Sequence, residues 1–150
     1  YPAFNMRNTE IGAIIGLNQL KRLDKNNNKR NKNLDIFLKN LDDKIFQTHY
    51  NLKGCSNYAF PLTLIKDDFN LRNLIEKRML ENKIEFRRGS AGGGNQMRQP
   101  YLKDFIKDDD FKSFPNVEHI HHFGWYIGNY PSLCSNDIID LCQILNGSIA

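Results

Sequence analysis

Apolar residues recur every three or four positions through the first third of the chain, which is the spacing of an α-helix. The pattern starts after Asn8 or Thr9, either of which can cap a helix, and it lapses over residues 27–32. Its members are Ile14, Leu17, Leu20, Leu23, Leu34, Phe37, Leu38, Leu41 and Ile45. Because no proline or glycine lies between residues 17 and 50, we predict one long helix there rather than two helices that meet at a break.

The rest of the chain alternates short strand-like and helix-like segments. Strands are predicted at residues 58–65, 84–87 and 123–128, and Pro61 indicates that the first is an edge strand or contains a bulge. Helix starts are predicted at Asp67 or Asp68, at Pro115, and at Ser135 and Asn136. The last helix is predicted to end at Gly147. This order predicts an α+β fold, in which a long N-terminal helix precedes a small, mainly antiparallel sheet covered by helices.

Length and composition indicate one globular domain. The chain has 150 residues, of which 40% are hydrophobic and 25% are charged. No apolar run approaches the roughly 20 residues that span a bilayer, and no secretory leader is recognisable. Because the chain opens at Tyr1 and its first methionine is Met6, we expect a piece of a longer protein. Cys55, Cys134 and Cys142 are an odd number, so we expect small buried residues in a cytoplasmic protein rather than disulfides.

The net charge of +4 is concentrated in residues 21–33, which hold six basic residues and one acidic residue. Five asparagines lie among them, and no aromatic residue does. A nucleic-acid contact usually mixes aromatic or base-reading residues with its cations. We therefore interpret this stretch as the solvated face of a helix and expect no nucleic-acid partner, although a basic nucleic-acid contact stays an alternative.

Residues 87–100 are the most informative stretch for function. Four glycines lie within residues 89–99, and glycine lets successive backbone N–H groups approach an anion. Its arginines are Arg87, Arg88 and Arg98, and Asn95 and Gln99 add neutral donors. Arginine binds phosphate or carboxylate with two parallel hydrogen bonds, so the pattern indicates a site for an anionic ligand. It is not a Walker A loop, because Asn95 stands where that motif needs lysine, and a surface hairpin with incidental arginines stays an alternative.

Two further groups of residues could bind a metal ion or an anion. Glu118 precedes His119, His121 and His122, and a metal site could be built from such residues. No further Cys/His pair has the required spacing, so we favour ordinary histidines and predict no metal site. Asn5 and Arg7 lie just before the first predicted helix, where free N–H groups and the helix dipole favour an anion.

Three segments together resemble one enzyme family. They are Asn5-x-Arg7-x-Thr9-Glu10-Ile11, Gly94-Asn95-x2-Arg98-Gln99-Pro100, and Trp125-x-Ile127-Gly128-x-Tyr130-Pro131. Their order and spacing resemble the C-terminal region of the DegT/StrS family, the pyridoxal-phosphate sugar aminotransferases and 3-dehydratases. The resemblance implies that residues 1–150 are the C-terminal small domain of a fold-type I enzyme, truncated at its N-terminus, whose large cofactor-binding domain is missing from this chain.

The resemblance also implies an activity for the complete enzyme. Its substrate would be a nucleotide-linked 4-keto-6-deoxy sugar, and its reaction transamination or 3-dehydration in surface-polysaccharide or deoxysugar biosynthesis. The cofactor would be pyridoxal 5'-phosphate, and the assembly a homodimer. We expect the fragment alone to be inactive and to bind no cofactor. A non-catalytic anion- or nucleotide-binding module stays the alternative.

The resemblance implies roles for six residues. Asn5 would reach the cofactor phosphate of the neighbouring subunit. The nucleotide sugar would be bound by Arg7, Arg88, Asn95, Arg98 and Gln99. No catalytic residue is expected in the chain. The glycine-rich residues 89–93 depart from the family pattern, which leaves open which of Arg87, Arg88 and Arg98 faces the ligand.

Overall fold

The structure is a computed structural model that describes residues 9–88, 94–102, 104–107 and 109–147. Within these residues the helices are α1 (Glu10–Leu20), α2 (Leu23–Asn40), α3 (Phe69–Glu81), α4 (Pro115–Phe123) and α5 (Ser135–Asn146). The strands are β1 (Ala59–Thr63), β2 (Phe86–Arg88) and β3 (Gly124–Gly128). Short 3₁₀ turns lie at Gln96–Arg98, Pro100–Leu102 and Asp110–Ser113 between β2 and α4.

The sheet is antiparallel and has β3 in its centre, with the order β1-β3-β2. β1 lies at an edge of the sheet, which confirms the first of the two alternatives predicted from Pro61. Residues from α2, α3 and α5 pack on one face of the sheet, and Phe37 of α2 stacks on Phe60 of β1 with ring centroids 4.5 Å apart. The prediction of an α+β fold with a small antiparallel sheet covered by helices is therefore confirmed.

Several helix ends also lie where local chemistry predicts them. The Asp68 side chain accepts a hydrogen bond from the Leu71 backbone N–H at 2.9 Å and caps α3. Gly147 ends α5 in the left-handed conformation, with φ of 78°. The start of α5 differs from the prediction by one residue, because the Asp137 carboxylate accepts the backbone N–H of Cys134 at 2.8 Å and makes Cys134 the cap.

The N-terminal helical stretch is broken, so the prediction of one continuous helix is wrong. α1 ends at Leu20 and α2 begins at Leu23, with Arg22 between them at φ −116° and ψ 3°. The large apolar side chains of α1 are Ile11, Ile14, Ile15, Leu17 and Leu20, and they are 56–72% exposed. They lie all around the helix, so α1 shares no single apolar stripe with the core-facing side of α2, and core packing does not hold the two helices in line.

Two buried asparagines tie α2 to the end of β3. Asn33 and Asn129 are 8% and 1% exposed, and Asn33 Nδ2 donates to Asn129 Oδ1 at 3.1 Å. Asn129 Nδ2 in turn donates to the backbone oxygens of Arg30 and Asn57, each at 3.0 Å. The prediction that residues 21–33 form a solvated face is therefore wrong at Asn33, because its amide satisfies polar groups inside the fold.

The three cysteines are free thiols, but only one of them is buried. Burial raises the pKa of the Cys142 thiol to about 12, as expected for a small core residue. Cys55 and Cys134 are exposed, contrary to prediction, because they lie in a surface turn and at the cap of α5. In the part of the chain that the structure describes, no helix is both long and apolar enough to cross a membrane.

Asn129→Ala is expected to lower the free energy of unfolding by about 2–4 kcal/mol, because the Asn33 amide loses one of its two acceptors and two backbone carbonyls lose the Asn129 donor. Urea denaturation of the chain measures this value. Asn28→Ala, at an exposed position of α2, is the matched control and should change the free energy by less than about 0.5 kcal/mol. Equal effects of the two substitutions would contradict the structural role of Asn129.

Candidate anion-binding site

Strand β2 sends its two arginines to opposite faces of the sheet, because successive strand residues alternate. Arg88 pairs in register with Trp125 of β3, and Arg87 pairs with Tyr126. Arg88 lies on the same face as the core: its Nη2 donates to the His122 carbonyl of α4 at 3.5 Å. Arg87 is exposed and lines a separate groove beside Tyr126. Of these two arginines, only Arg88 therefore points toward α4.

Glu76 of α3 holds both Trp125 and Arg88. The Trp125 indole N–H donates to Glu76 Oε1 at 2.9 Å, and Arg88 Nε lies 3.3 Å from the same oxygen. The Arg88 Nε–H is buried and makes no well-directed hydrogen bond within the described residues, so the contact is mainly an ion pair. The Arg88 side chain is 31% exposed, so part of the guanidinium still reaches the surface.

Helix α4 presents Glu118 and His122 on one face, one helical turn apart. Pro115 opens the helix at its first turn, where a missing N–H costs nothing. Gly124 follows its end, and a Cβ there would lie 2.5 Å from the Ile120 carbonyl oxygen. Only glycine therefore lets β3 leave α4 at this angle without a backbone shift.

The Glu118 carboxylate is the centre of a polar cluster formed by Glu118, Asn95, Arg98 and His122, called here the Glu118 cluster. Arg98 Nε lies 2.8 Å and 2.9 Å from the two carboxylate oxygens, and Arg98 Nη2 also pairs with Oε1. Asn95 Nδ2 donates to Oε2 at 2.9 Å, and His122 Nε2 lies 3.0 Å from Oε1. The hydrogen bond from Arg98 is the largest of the effects that lower the pKa of Glu118 to about 2.

Asn95 shapes the chain around this cluster. Its side chain is 1% exposed: Oδ1 accepts from the Met97 backbone N–H at 3.1 Å, and Nδ2 donates to Glu118 and to the Phe111 carbonyl. These bonds occupy both ends of the amide. Asn95 therefore positions the short turn Gln96–Arg98.

Arg98 is fixed from a second direction by Phe111. The guanidinium carbon lies 3.9 Å from the centroid of the Phe111 ring, which is a cation–π contact. The Arg98 side chain is still 33% exposed, and its Nη1 makes no hydrogen bond with any residue that the structure describes. The side-on pairing with Glu118 therefore leaves one edge of the guanidinium available.

The histidines of α4 serve as hydrogen-bonding residues. His121 Nδ1 accepts the Asn95 backbone N–H at 3.1 Å, and burial, followed by the neighbouring His122, lowers the pKa of His121. His119 lies between Asp67 Oδ1 and the Leu64 carbonyl oxygen, at 2.6 Å from each. Across residues 9–88, 94–102, 104–107 and 109–147, no three His, Cys, Asp or Glu side chains are arranged to hold a metal ion.

The structure brings together three of the six residues predicted to bind ligands. Arg88, Asn95 and Arg98 each contact α4. A recess of about 260 Å³ beside Glu118 and His122 is lined by none of these three residues. Gln99 is half-buried and adjoins the cluster in sequence, and its side chain bonds to no described residue. Asn5, Arg7 and the glycine-rich residues 89–93 lie outside the described residues.

The sequence reasoning missed the residues that hold the arginines. No local pattern links Glu76, Phe111 or Trp125 with these arginines, and the sequence indicates Glu118 only as a candidate metal ligand. A lone glutamate in a predicted helix carries no signal that its partner lies on a distant loop. The one usable signal is the spacing of Glu118 and His122, which predicts their shared helix face.

Comparison with known proteins gives a consistent family match. Residues 1–146 match the model of the DegT/DnrJ/EryC1/StrS aminotransferase family. A GDP-4-keto-6-deoxy-D-mannose 3-dehydratase of Escherichia coli O55:H7 is 25% identical over 154 residues, which cover 96% of this chain and 37% of the relative. A GDP-perosamine synthase of Escherichia coli O157:H7 is 22% identical over 147 residues, covering 95% and 37%.

A solved structure supports the fold. The E. coli GDP-4-keto-6-deoxy-D-mannose-3-dehydratase with bound hydrated PLP superposes with a TM-score of 0.71 at 22% identity, covering 97% of this chain and 37% of that chain. The present chain thus spans little more than a third of the length of the relatives that it matches.

Glu118→Gln is expected to lower the free energy of unfolding at pH 7 by about 2–3 kcal/mol, because the ionised carboxylate is favoured in the fold. The folded-state pKa of about 2 lies below the ordinary value of 4.5. The stabilisation is therefore present above about pH 4.5 and is lost as the pH falls toward 2. Denaturation of both proteins at pH 7 and near pH 3 measures the difference.

Glu81→Gln is the matched control for this pH dependence. Its carboxylate is 60% exposed and lies 3.7 Å from Lys77 in an ordinary surface pair, so its removal should change stability little at either pH. A difference between wild type and Glu118→Gln that stays constant from pH 7 to pH 3 would be inconsistent with an ionised Glu118 in the cluster.

Proposed function

The chain belongs to the DegT/DnrJ/EryC1/StrS aminotransferase family, and we propose that it is the C-terminal small domain of a pyridoxal-phosphate enzyme. The proposed substrate is a nucleotide-linked 4-keto-6-deoxy sugar, and the proposed reaction is its transamination or 3-dehydration. The family match over residues 1–146 supports this proposal, and so do the two curated relatives, whose names describe enzymes of GDP-linked deoxysugars. The free exposed thiols of Cys55 and Cys134 fit a cytoplasmic location, which we also propose.

The observation that carries the proposal is the meeting of Arg88 and Arg98 at α4. Both side chains keep about a third of their surface exposed, at 31% and 33%. A guanidinium carries five N–H donors, and neither Glu76 nor Glu118 occupies all of them. Remaining donors on two fixed arginines suit the oxygens of a sugar-linked diphosphate, and Gln99 adds a neutral donor beside them.

The cofactor would be held mainly by parts of the enzyme outside this chain. Pyridoxal phosphate supplies an electron sink when it is bound. The described residues do not form a cradle for it: Lys112 lines the recess beside Glu118, but it is 64% exposed and paired with Asp109 at 2.8 Å. Asn5 is the residue proposed to contact the cofactor phosphate of a neighbouring subunit, and Arg7 the residue proposed to approach the nucleotide sugar.

The surface of α1 supports a place within a larger assembly. Its residues Ile11, Ile14, Leu17 and Leu20 point in different directions, and each is more than 60% exposed. A helix that is apolar on all sides is normally surrounded by protein. We propose that α1 is covered by the large domain and by the second subunit of a homodimer, which would also bring Asn5 to the neighbouring cofactor.

Arg98→Ala in the full-length enzyme is expected to raise KM for the nucleotide sugar about tenfold or more, because one charge-assisted contact to the diphosphate is lost. Steady-state kinetics with a GDP-linked 4-keto-6-deoxy sugar measures this effect. Arg87→Ala is the matched control, since Arg87 lies on the opposite face of β2, and it should leave KM within about twofold.

Equal KM values for wild type and Arg98→Ala would remove Arg98 from the substrate site. A full-length protein that binds the nucleotide sugar but retains no pyridoxal phosphate and converts no substrate would instead favour the alternative, a non-catalytic nucleotide-binding module.

A further inference from the structure

We infer that Glu118 is a positioning residue of the proposed nucleotide-sugar site, and that it holds Arg98 side-on so that the guanidinium edge carrying Nη1 stays available to a phosphate oxygen. This inference rests on the proposed function. Glu118 would act through Arg98 and would not contact the substrate itself.

The contacts of Glu118 leave little room for any other role. Its two oxygens receive Arg98 through Nε and Nη2, Asn95 through Nδ2 and His122 through Nε2. A carboxylate offers about four lone-pair directions, so these partners use nearly all of them. The side chain is 20% exposed. A fully engaged carboxylate of this kind orients its partners instead of binding a further group.

Arg98 needs such a partner because a long side chain is otherwise mobile. Fixing a free arginine costs up to about 2 kcal/mol of rotamer entropy, which a ligand would otherwise have to offset. Here Glu118 fixes one edge of the guanidinium, and the Phe111 ring fixes its plane, with the guanidinium carbon 3.9 Å from the ring centroid. The donor is therefore oriented before a ligand arrives, which is the physical basis of preorganised binding.

The opposing interpretation is that Glu118 neutralises Arg98 and competes with an anionic ligand. The two interpretations predict opposite changes in anion affinity when Glu118 is replaced by glutamine. If Glu118 only competes, Glu118→Gln removes a negative charge from the site and should strengthen anion binding. If Glu118 positions Arg98, the same substitution releases the guanidinium and should weaken binding despite the more favourable charge.

The first measurement is the hydrogen-exchange protection of the Arg98 Nε–H, followed by nitrogen-15 NMR of the 150-residue chain. Wild type and Glu81→Gln, the surface-pair control, should show an Arg98 N–H that is protected from exchange. In Glu118→Gln that protection should fall at least tenfold, because the main acceptor is weakened. Unchanged protection in Glu118→Gln would overturn the inference, since Arg98 would then be held without the carboxylate.

Glu118→Asp keeps the measurement decisive if Glu118→Gln does not fold. It retains the charge but shortens the reach by one methylene, so Arg98 should lose protection while circular dichroism stays like that of wild type. Full protection of Arg98 in a folded Glu118→Asp chain would equally count against the positioning role.

The second measurement is the affinity for inorganic pyrophosphate, by titration calorimetry. Glu118→Gln is expected to bind pyrophosphate about three- to tenfold more weakly than wild type, and tighter binding would overturn the inference. Arg98→Ala tests the proposed function separately. If Arg98→Ala binds pyrophosphate as tightly as wild type, Arg98 is not the phosphate contact. The NMR result still shows whether Glu118 holds the Arg98 guanidinium.

Discussion

A carboxylate taken largely out of water must be matched by donors, and that requirement at Glu118 determines how the site is built. Glu118 lies on α4, whereas Asn95 and Arg98 arrive from the segment after β2. Their donors compensate a charge that would be costly without them. The irregular segment before α4 therefore has a defined path where it meets the carboxylate. The same contacts determine which edge of Arg98 stays exposed.

Features set by short-range chemistry were predictable from the sequence. Asp68 caps α3 because its carboxylate reaches an N–H three residues on, and Gly147 ends α5 because glycine adopts a positive φ freely. The Glu118 cluster was not predictable, since Arg98 and Glu118 are 20 residues apart and no periodicity links them. Asn33 and Asn129 are 96 residues apart, and a buried asparagine inside a polar run has the same local pattern as an exposed one.

The break between α1 and α2 shows a second limit of local patterns. Spacings of three and four continue across Lys21 and Arg22, so periodicity alone favours one helix. Of these two helices, α2 packs against the core through Leu34 and Phe37, whereas α1 has no buried residue among the described ones. The direction of α1 depends on the surface that it packs against. In the proposed enzyme, that surface is formed by the large domain and the second subunit.

The charge balance of the site argues for recognition at short range. Arg88 is paired with Glu76 and Arg98 with Glu118, so these two ion pairs carry little net charge. Long-range attraction of an anion is correspondingly weak. A phosphate group would gain its affinity only where its oxygens meet the donors that remain on two fixed guanidinium groups. In the proposed enzyme such a site favours a diphosphate of the right geometry over anions in general, because orientation, not excess positive charge, supplies the binding energy.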